Sequence, residues 1–412
     1  MAGDKTTRYF RTRFPVHVLA AFFFTIPLST TAVEITSSTL LGVWLLSGTL
    51  LGGSWARSRD LAPVLLFMVL PLLGWFWAPA PDPAFAAAAN ARFWMVTLAI
   101  ASLGLGLHAR RASLAFVAGL AVTCALATAQ YAGLYPLPEG TVRYGLFHCY
   151  MHGTLSLFLA FSLLLLSRLF REASSLGARL AFTALAAFFL FTLTVVIPGR
   201  IGYLAFALGL PVMVCNFLGL RFNGKAAAAF ALVLAAAALS PTVRHRISEA
   251  MSDVDHYQAG RIDTSLGSRM EMWKFSARLL AEKPLAGGGP GAFETRWKTG
   301  KPEGIVANYL NPHNTFCHVA ADYGLLGLAL LGGILFTLAR ASRSFRGSFR
   351  GFLGAAFLLV FLVGSLTNSL ITGVTNTVWS AAFAGLLLSP TPLFGLFAPR
   401  TPPPTPKQGP DA

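Results

Sequence analysis

Runs of apolar residues long enough to cross a membrane recur along the whole chain, separated by short segments that carry charged residues, proline or glycine. A membrane-spanning α-helix needs about 20 such residues. The chain has 412 residues, of which 55% are hydrophobic and 12% charged, which is too apolar for an ordinary soluble protein. We therefore predict an all-α integral membrane protein with twelve transmembrane helices, over residues 15–33, 36–54, 61–79, 92–108, 113–134, 153–170, 178–197, 200–220, 226–241, 313–339, 351–371 and 374–392.

Basic residues concentrate on alternate connecting segments. If the N-terminus is cytoplasmic, the cytoplasmic segments hold 19 of the 32 Lys and Arg residues, and the short outer segments hold only Arg92, Arg143 and Arg200. This is the positive-inside bias of membrane proteins. The net charge of +16 is therefore explained by topology and not by a nucleic-acid partner. The charge bias and the even number of spans together predict that both termini lie in the cytoplasm.

One polar stretch is much longer than the others. It divides the chain into helices one to nine (1–241), an outer loop (242–312), helices ten to twelve (313–392) and a Pro-rich tail that we predict to be disordered (393–412). The loop is too short for a large core of its own. We predict two loop helices, over about 242–258 and 264–282. The second is amphipathic, with an apolar face formed by Leu266, Met270, Trp273, Ala277 and Leu280.

The junction between the loop and the tenth span carries candidate chemistry. Asn311 is a suitable N-cap and Pro312 fits the first helical position, so His313 is expected in a first turn whose free N–H groups attract anions. A histidine titrates near neutral pH, so His313 is a candidate general base, the alternative being a hydrogen-bonded structural residue. Polar residues at helical spacing continue below it on one face, namely Asn314, His318 and Asp322.

Arg143, Arg200 and Arg269 are candidate ligands for an anion at the outer face. The arginine side chain is shaped for bidentate contact with phosphate oxygens, and it is costly near membrane depth unless paired or functional. Taken singly, each has an alternative explanation as a headgroup contact or a salt bridge. Together with a histidine at a helix start, they predict a site for an anionic group.

We expect this site to use neither metal nor cofactor. Outside the long loop the outer segments hold few carboxylates, and the acidic residues of the loop form no clustered motif, whereas a divalent ion holding a diphosphate would need one or two carboxylates. His148 and His152 are four residues apart, but no third ligand is evident nearby. The glycine-rich turn between Gly287 and Gly291 could approach a phosphate or be a structural turn. The four cysteines show no CxxC pairing, so we expect no disulfide framework.

Four segments of the chain resemble the O-antigen ligases of Gram-negative bacteria and the superfamily that these share with O-antigen polymerases and pilin oligosaccharyltransferases. They are RYGLFHCYMHG (143–153), PGRIGYLAFALG (198–209), GSRMEMWKFSARLLAEKPLAGGGPGAF (267–293) and PHNTFCHVAADYGLLGL (312–328). The last two are the most specific. The twelve-span layout with one long, late periplasmic loop is also similar, so the resemblance covers most of the chain.

The resemblance implies a GT-C-like membrane glycosyltransferase with its site at the periplasmic face. The implied donor is an O-antigen polysaccharide on undecaprenyl diphosphate, and the implied acceptor is a sugar hydroxyl of the lipid A core. Membrane lipids are implied as further partners. The implied reaction is metal-independent and inverting. By position, His313 is the implied base, and Arg200, Arg269 and Arg143 match the family's arginines. His152 and Gly199 depart from the Asn and Ser that the family often has there.

Three alternatives remain open. An O-antigen polymerase would share the donor and the fold but use another acceptor. A pilin-glycosylating transferase usually has a larger periplasmic portion. A transporter of a lipid-linked sugar would carry charged residues in the middle of several spans and paired broken helices, whereas here the ionisable residues gather at the outer ends of spans.

Overall fold

The computed structural model describes residues 13–47, 59–134, 145–146, 150–197, 199–220 and 264–389, together with a few positions between 224 and 262. These residues form fourteen α-helices and one antiparallel ribbon of two short strands. The helices are α1 (Phe14–Thr25), α2 (Thr30–Leu46), α3 (Ala62–Gly74), α4 (Pro81–Ala91), α5 (Met95–Ser102), α6 (Ala109–Tyr131), α7 (His152–Glu172), α8 (Leu176–Phe191), α9 (Arg200–Phe217), α10 (Ser265–Glu282), α11 (Ala292–Gly300), α12 (Thr315–Ser344), α13 (Phe349–Ser365) and α14 (Val374–Leu388). The strands are β1 (Gly145–Leu146) and β2 (Tyr150–Met151).

The prediction of a helical, multi-pass membrane protein is confirmed. Seven described segments are long and apolar enough to cross a membrane, namely Arg59–Trp77, Pro81–Ser102, Leu105–Tyr131, His152–Glu172, Leu176–Val196, Arg200–Phe217 and Thr315–Ser344. The shorter apolar helices of the described chain are α1, α2, α13 and α14. The ninth predicted span, most of the predicted helix over 242–258 and the tail lie outside the described residues, so a total of twelve spans stays a prediction.

Two predicted boundaries were wrong, each because of a proline. The first span was predicted to continue to residue 33, but α1 ends at Thr25, ahead of Pro27, and α2 starts anew with Ser29 as its N-cap. The fourth span was predicted to begin at residue 92. Its helix begins at Pro81, where the missing proline N–H costs nothing, and continues through a 3₁₀ turn to Ser102.

α7 is the central helix of the apolar core, with residues of every face buried between Thr154 and Leu169. Aromatic rings of α7 and α14 pack against each other. The ring centroids of Phe161, Trp379 and Phe383 lie 4.8–6.0 Å apart. Edge-to-face pairs of this kind contribute beyond the burial of their area. This packing holds α7 in place, and the first turns of α7 contact the start of α9.

Arg200 is held in place by the close approach of α9 to α7. A Cβ on Gly199 would lie only 2.2 Å from Ser156 Oγ, and a Cβ on Gly202 only 2.4 Å from Ser156 Cβ. Because both positions are glycine, the two backbones can touch at this level. α9 therefore starts at Arg200, directly against the N-terminal end of α7.

The glycine-rich turn and α12 exchange backbone hydrogen bonds. α12 is interrupted at Gly324, whose φ and ψ of 61° and −155° are not helical. The N–H groups of Leu325 and Leu326 donate to the carbonyls of residues 284 and 285, at 2.8 and 3.1 Å. The carbonyls of Ala321 and Asp322, which those N–H groups would bond in a continuous helix, instead accept from residues 288 and 289, both at 2.9 Å. The turn is thereby fastened to α12.

We expect Gly324→Ala to destabilise the protein. Its Cβ would lie 2.6 Å from the carbonyl oxygens of Pro284 and Leu285, in a backbone conformation that costs non-glycine residues about 1–3 kcal/mol. The matched control is Gly332→Ala in the same helix, where a Cβ meets nothing within 4 Å. Thermal unfolding in detergent should show a midpoint several degrees lower for G324A and no such loss for G332A. Equal unfolding midpoints for the two variants would contradict the hydrogen-bond exchange between α12 and residues 284–289.

Candidate functional site

The helix that carries the polar stripe begins later than predicted. α12 starts at Thr315 with Asn314 as its N-cap. The Asn314 Oδ1 atom accepts hydrogen bonds from the backbone N–H groups of Phe316 and Cys317, at 2.9 and 3.0 Å. The predicted N-cap at Asn311 was therefore wrong by three residues. Both asparagines suit an N-cap, and Asn314 has the extended backbone that the position requires.

His313 lies just outside the helix in a left-handed backbone conformation. Its φ is 49°, and it alone among the described non-glycine residues has a positive φ. Its backbone N–H donates to Asn311 Oδ1 at 3.0 Å, a local turn that asparagine side chains favour. A left-handed conformation is uncommon for a residue with a side chain and persists where the surroundings impose it. The imidazole is thus aimed by its backbone and not by helical geometry.

The loop helices hold the segment that ends at His313. The indole N–H of Trp273, on α10, donates to the carbonyl of Pro312 at 3.1 Å. The Tyr309 ring lies edge-on to the His313 imidazole, with centroids 5.5 Å apart, and packs on its other side near Trp297 of α11. The outer loop therefore positions the candidate base through one hydrogen bond and a row of aromatic rings.

α10 packs through a different face from the one predicted. Its buried residues are Ser268, Met272, Phe275, Ser276 and Leu279, and the apolar ones form a small cluster with Phe293, Trp297, Ile305 and Ala321. On the predicted face Ala277 is exposed, and Leu266, Met270, Trp273 and Leu280 are only half-buried. The prediction expected the named face to pack on the spans or to lie at the membrane interface, whereas Met272 and Phe275 pack against the aromatic residues of α11.

His313, Arg200 and Arg269 line one cavity of about 490 Å³, which we call the arginine cavity. The other lining residues are His152, Gly153, Gly199, Ile201, Leu204, Thr367 and Asn368. Segments far apart in the sequence thus bring three predicted site residues together. Arg143, the remaining predicted arginine, lies outside the described residues.

The arginine cavity is electropositive. Neither Arg200 nor Arg269 forms an ion pair with a described carboxylate, and no carboxylate is among the lining residues. Burial, and then the nearby Arg200 cation, lower the pKa of Arg269. Burial, and then Arg269, lower the pKa of His313 from its usual value, so the imidazole is neutral at neutral pH. Such a site welcomes an anion and offers a free base beside it.

A second cavity, of about 400 Å³, is also lined by His313, and we call it the amide cavity. Four asparagines line it, together with apolar residues of α3 and α4 and polar residues of α12 and the α13–α14 connection. The asparagines are Asn90, Asn311, Asn368 and Asn376. His313 and Asn368 line both cavities. The two cavities therefore share these two residues.

Comparison with known proteins agrees with this geometry. Residues 185–332, which include Arg200, Arg269 and His313, match a protein-family model described as O-antigen ligase. This part of the chain is therefore similar to the O-antigen ligase family. It is also 25% identical over 138 residues to a Rickettsia bellii protein named "Putative polysaccharide ligase". That match spans 31% of this chain and 33% of the relative, so the chain spans about a third of the relative it matches.

The predicted resemblance to the superfamily is thus confirmed.

The polar residues of α12 bond to one another and to neighbouring segments. His318 Nε2 lies 3.3 Å from Asp322 Oδ2, and its Nδ1 lies 3.2 Å from Ser369 Oγ. The Asp322 carboxylate also accepts from the N–H groups of Gly291 and Phe293, at 2.9 and 3.0 Å. It therefore caps the N-terminus of α11 in place of a local side chain.

The glycine-rich turn is structural in the described chain. The N–H groups of Gly287, Gly288 and Gly289 donate to backbone carbonyls, and that of Gly291 donates to Asp322. These four N–H groups are therefore not free to bind a phosphate. Of the two interpretations left open by the sequence, the geometry supports the structural turn.

The histidine pair of the sixth span is divided between described and undescribed residues. His152 begins α7 and lines the arginine cavity, whereas His148 lies outside the described residues. Within the part of the chain that the structure describes, no three His, Cys, Asp or Glu side chains form a group suited to a metal ion.

Sequence analysis missed Asn368 and the connection that carries it. Asn368 lies between α13 and α14, in the short polar run Thr367-Asn368-Ser369. The backbone carbonyls of Leu366 and Asn368 accept from Asn314 and Thr315, at 3.2 and 3.0 Å, which ties the connection to the start of α12. A polar run between two apolar spans was the available signal.

We expect Asp322→Ala to destabilise the fold more than it alters the chemistry. It leaves two buried N–H groups without an acceptor, at about 1–3 kcal/mol each. Glu282→Ala, which removes an exposed carboxylate paired with Arg296, is the control. D322A should unfold several degrees earlier in detergent and E282A should not. A D322A protein as stable as the wild type would show that the carboxylate does not hold α11.

Proposed function

We propose that this protein transfers O-antigen polysaccharide from undecaprenyl diphosphate to a sugar hydroxyl of the lipid A core. One observation carries the proposal: a half-buried, neutral histidine shares a cavity with two arginines that lack carboxylate partners in the described chain. This combination suits the breaking of a bond to a diphosphate with a base at hand. The similarity of residues 185–332 to the O-antigen ligase family model supports the polysaccharide substrate.

The proposed orientation puts the arginine cavity at the periplasmic face of the bacterial inner membrane. Arg200 and His313 stand at the ends of membrane-length helices, and the positive-inside bias favours the periplasm for these ends. The carrier's lipid tail would then lie beside α9, where Ile201 and Leu204 border the cavity. The GT-C-like arrangement of twelve spans belongs to this proposal.

In the proposed reaction, Arg200 and Arg269 bind the diphosphate, and Arg143 is a third candidate. The bond from the anomeric carbon to the diphosphate oxygen breaks as the bond from that carbon to the acceptor oxygen forms, with inversion. The electron pair of the broken bond stays on the diphosphate, where the guanidinium groups stabilise the growing charge. The diphosphate is a good leaving group, so no separate acid is needed.

His313 accepts the proton that the acceptor hydroxyl loses. Burial and Arg269 keep the imidazole neutral before the reaction, as a base requires. The imidazolium that forms then lies near the negative diphosphate. The arginines supply the positive charge that a divalent ion would otherwise provide, so we propose a metal-independent reaction. Asn314, His318 and Asp322 support His313 by fixing the start of α12 and the loop beside it.

His313→Asn is the sharpest test of the base, because asparagine tolerates the left-handed backbone that His313 adopts. The assay combines purified protein, glycan-linked undecaprenyl diphosphate and lipid A-core, in the presence of EDTA. We expect transfer to fall by about 10²- to 10⁴-fold with an unchanged unfolding midpoint. Transfer within threefold of the wild type would exclude His313 as the base. Loss of wild-type activity in EDTA that Mg²⁺ restores would contradict the metal-independent reaction.

The same variant separates a ligase from a polymerase in cells. Loss of a ligase leaves the lipid A-core without O-antigen, while polymer accumulates on the lipid carrier. Loss of a polymerase leaves a single repeat on the lipid A-core. Lipopolysaccharide gels from cells that carry only H313N therefore decide the acceptor.

Transfer should fall on the acid side of neutrality. The pKa of His313 lies below its usual value of about 6.5, because burial and Arg269 both disfavour the cation. We expect kcat/KM to be constant between pH 7 and 8 and to fall about tenfold per unit below a midpoint under 6.5. Arg269→Gln should raise that midpoint, because one cation is removed. A rate that rises on acidification would contradict a neutral base.

A further inference from the structure

The amide cavity differs in charge from the arginine cavity beside it. Its lining residues include the carboxylates of Glu294 and Asp322 and no lysine or arginine. The arginine cavity has the reverse, with Arg200 and Arg269 and no carboxylate. The amide cavity therefore offers no lysine or arginine to hold a diphosphate, whereas a neutral polyhydroxyl group needs none.

Two amide groups in this cavity have no internal partner. The side chains of Asn90 and Asn368 form no hydrogen bond with the part of the chain that the structure describes. A half-buried amide among apolar helices is costly unless something pairs with it. An amide both donates and accepts, which matches a sugar hydroxyl. The apolar wall beside them, which includes Phe67, Trp94 and Pro83, suits the C–H face of a sugar ring.

The geometry of displacement relates the two cavities. In a single displacement the entering oxygen and the leaving oxygen lie on opposite sides of the reacting carbon. If the diphosphate occupies the arginine cavity, the acceptor oxygen must approach from the other side, within reach of the base. His313 lines both cavities, and so does Asn368.

We infer that the amide cavity binds a neutral sugar ring of the acceptor, with Asn90 and Asn368 hydrogen-bonded to its hydroxyls. This inference rests on the proposed function, because it takes the arginine cavity as the diphosphate site. It assigns the two substrates to separate cavities that meet at His313. Recognition of the acceptor then depends on uncharged side chains that do not touch the diphosphate.

Asn90→Leu tests the assignment, because leucine has nearly the same size and cannot hydrogen-bond. The control is Asn308→Leu, an exposed asparagine of the outer loop that lines neither cavity. With lipid A-core as the varied substrate, we expect N90L to raise KM by about three- to tenfold. With glycan-linked undecaprenyl diphosphate varied, KM should stay within twofold. N308L should change neither.

A second variant protects the test against misfolding. Ala87→Leu fills the cavity from the preceding turn of α4 and leaves Asn90 in place. It should also raise the acceptor KM selectively, at an unfolding midpoint near that of the wild type. A selective rise in the donor KM for N90L and A87L would place the transferred glycan in this cavity. No change in either KM would show that the cavity binds no substrate.

A binding measurement separates this inference from the proposed reaction. Core oligosaccharide released from lipid A is titrated against wild type, H313N and N90L, with saturation-transfer NMR as the readout. H313N should bind it and N90L should bind it several-fold more weakly. If the wild type binds the oligosaccharide through Asn90 but transfers nothing, the proposed reaction fails and the cavity assignment stands. If transfer is normal and N90L binds as the wild type does, the assignment alone fails.

Discussion

The position of the candidate base depends on a backbone exchange at Gly324. Two helical hydrogen bonds of α12 are opened there, and four bonds to residues 284–289 take their place. The turn after α10 is thereby fixed to the helix that begins just after His313. α10 and α11 flank this turn, so their positions are fixed with it. Trp273 of α10 donates to the carbonyl of Pro312, and the Tyr309 ring packs against His313, so these contacts hold the histidine in place. α12 therefore fixes both the turn after α10 and the segment that ends at His313.

Electrostatics and backbone geometry act together on His313. The residue has a left-handed backbone and a half-buried imidazole, and partial burial together with the adjacent guanidinium of Arg269 keeps that imidazole neutral. The described chain supplies no counterion for the two arginines beside it. An arriving anion would complete the cluster and would also favour protonation of the histidine. Binding of an anionic donor and basicity of His313 are thus linked.

The sequence predicted most of the helical layout and three of the residues that meet in the arginine cavity. Membrane-length apolar runs are strong signals, and the functional side chains lie at the ends of these runs. The start of α12 was misplaced because Asn311 and Asn314 are equally good caps by composition. The buried face of α10 was misjudged because its partners, Phe293 and Trp297, come from a helix that the periodicity does not reveal. Asn368 was missed because its place beside His313 depends on packing between distant segments.

The close approach of α9 to α7 restricts which residues can stand beside Arg200. A Cβ at position 199 would lie 2.2 Å from Ser156 Oγ, and a Cβ at position 202 would lie 2.4 Å from Ser156 Cβ. The two helices therefore meet through glycine backbone and one small side chain. A larger residue at any of these three positions would push the start of α9, and Arg200 with it, away from α7.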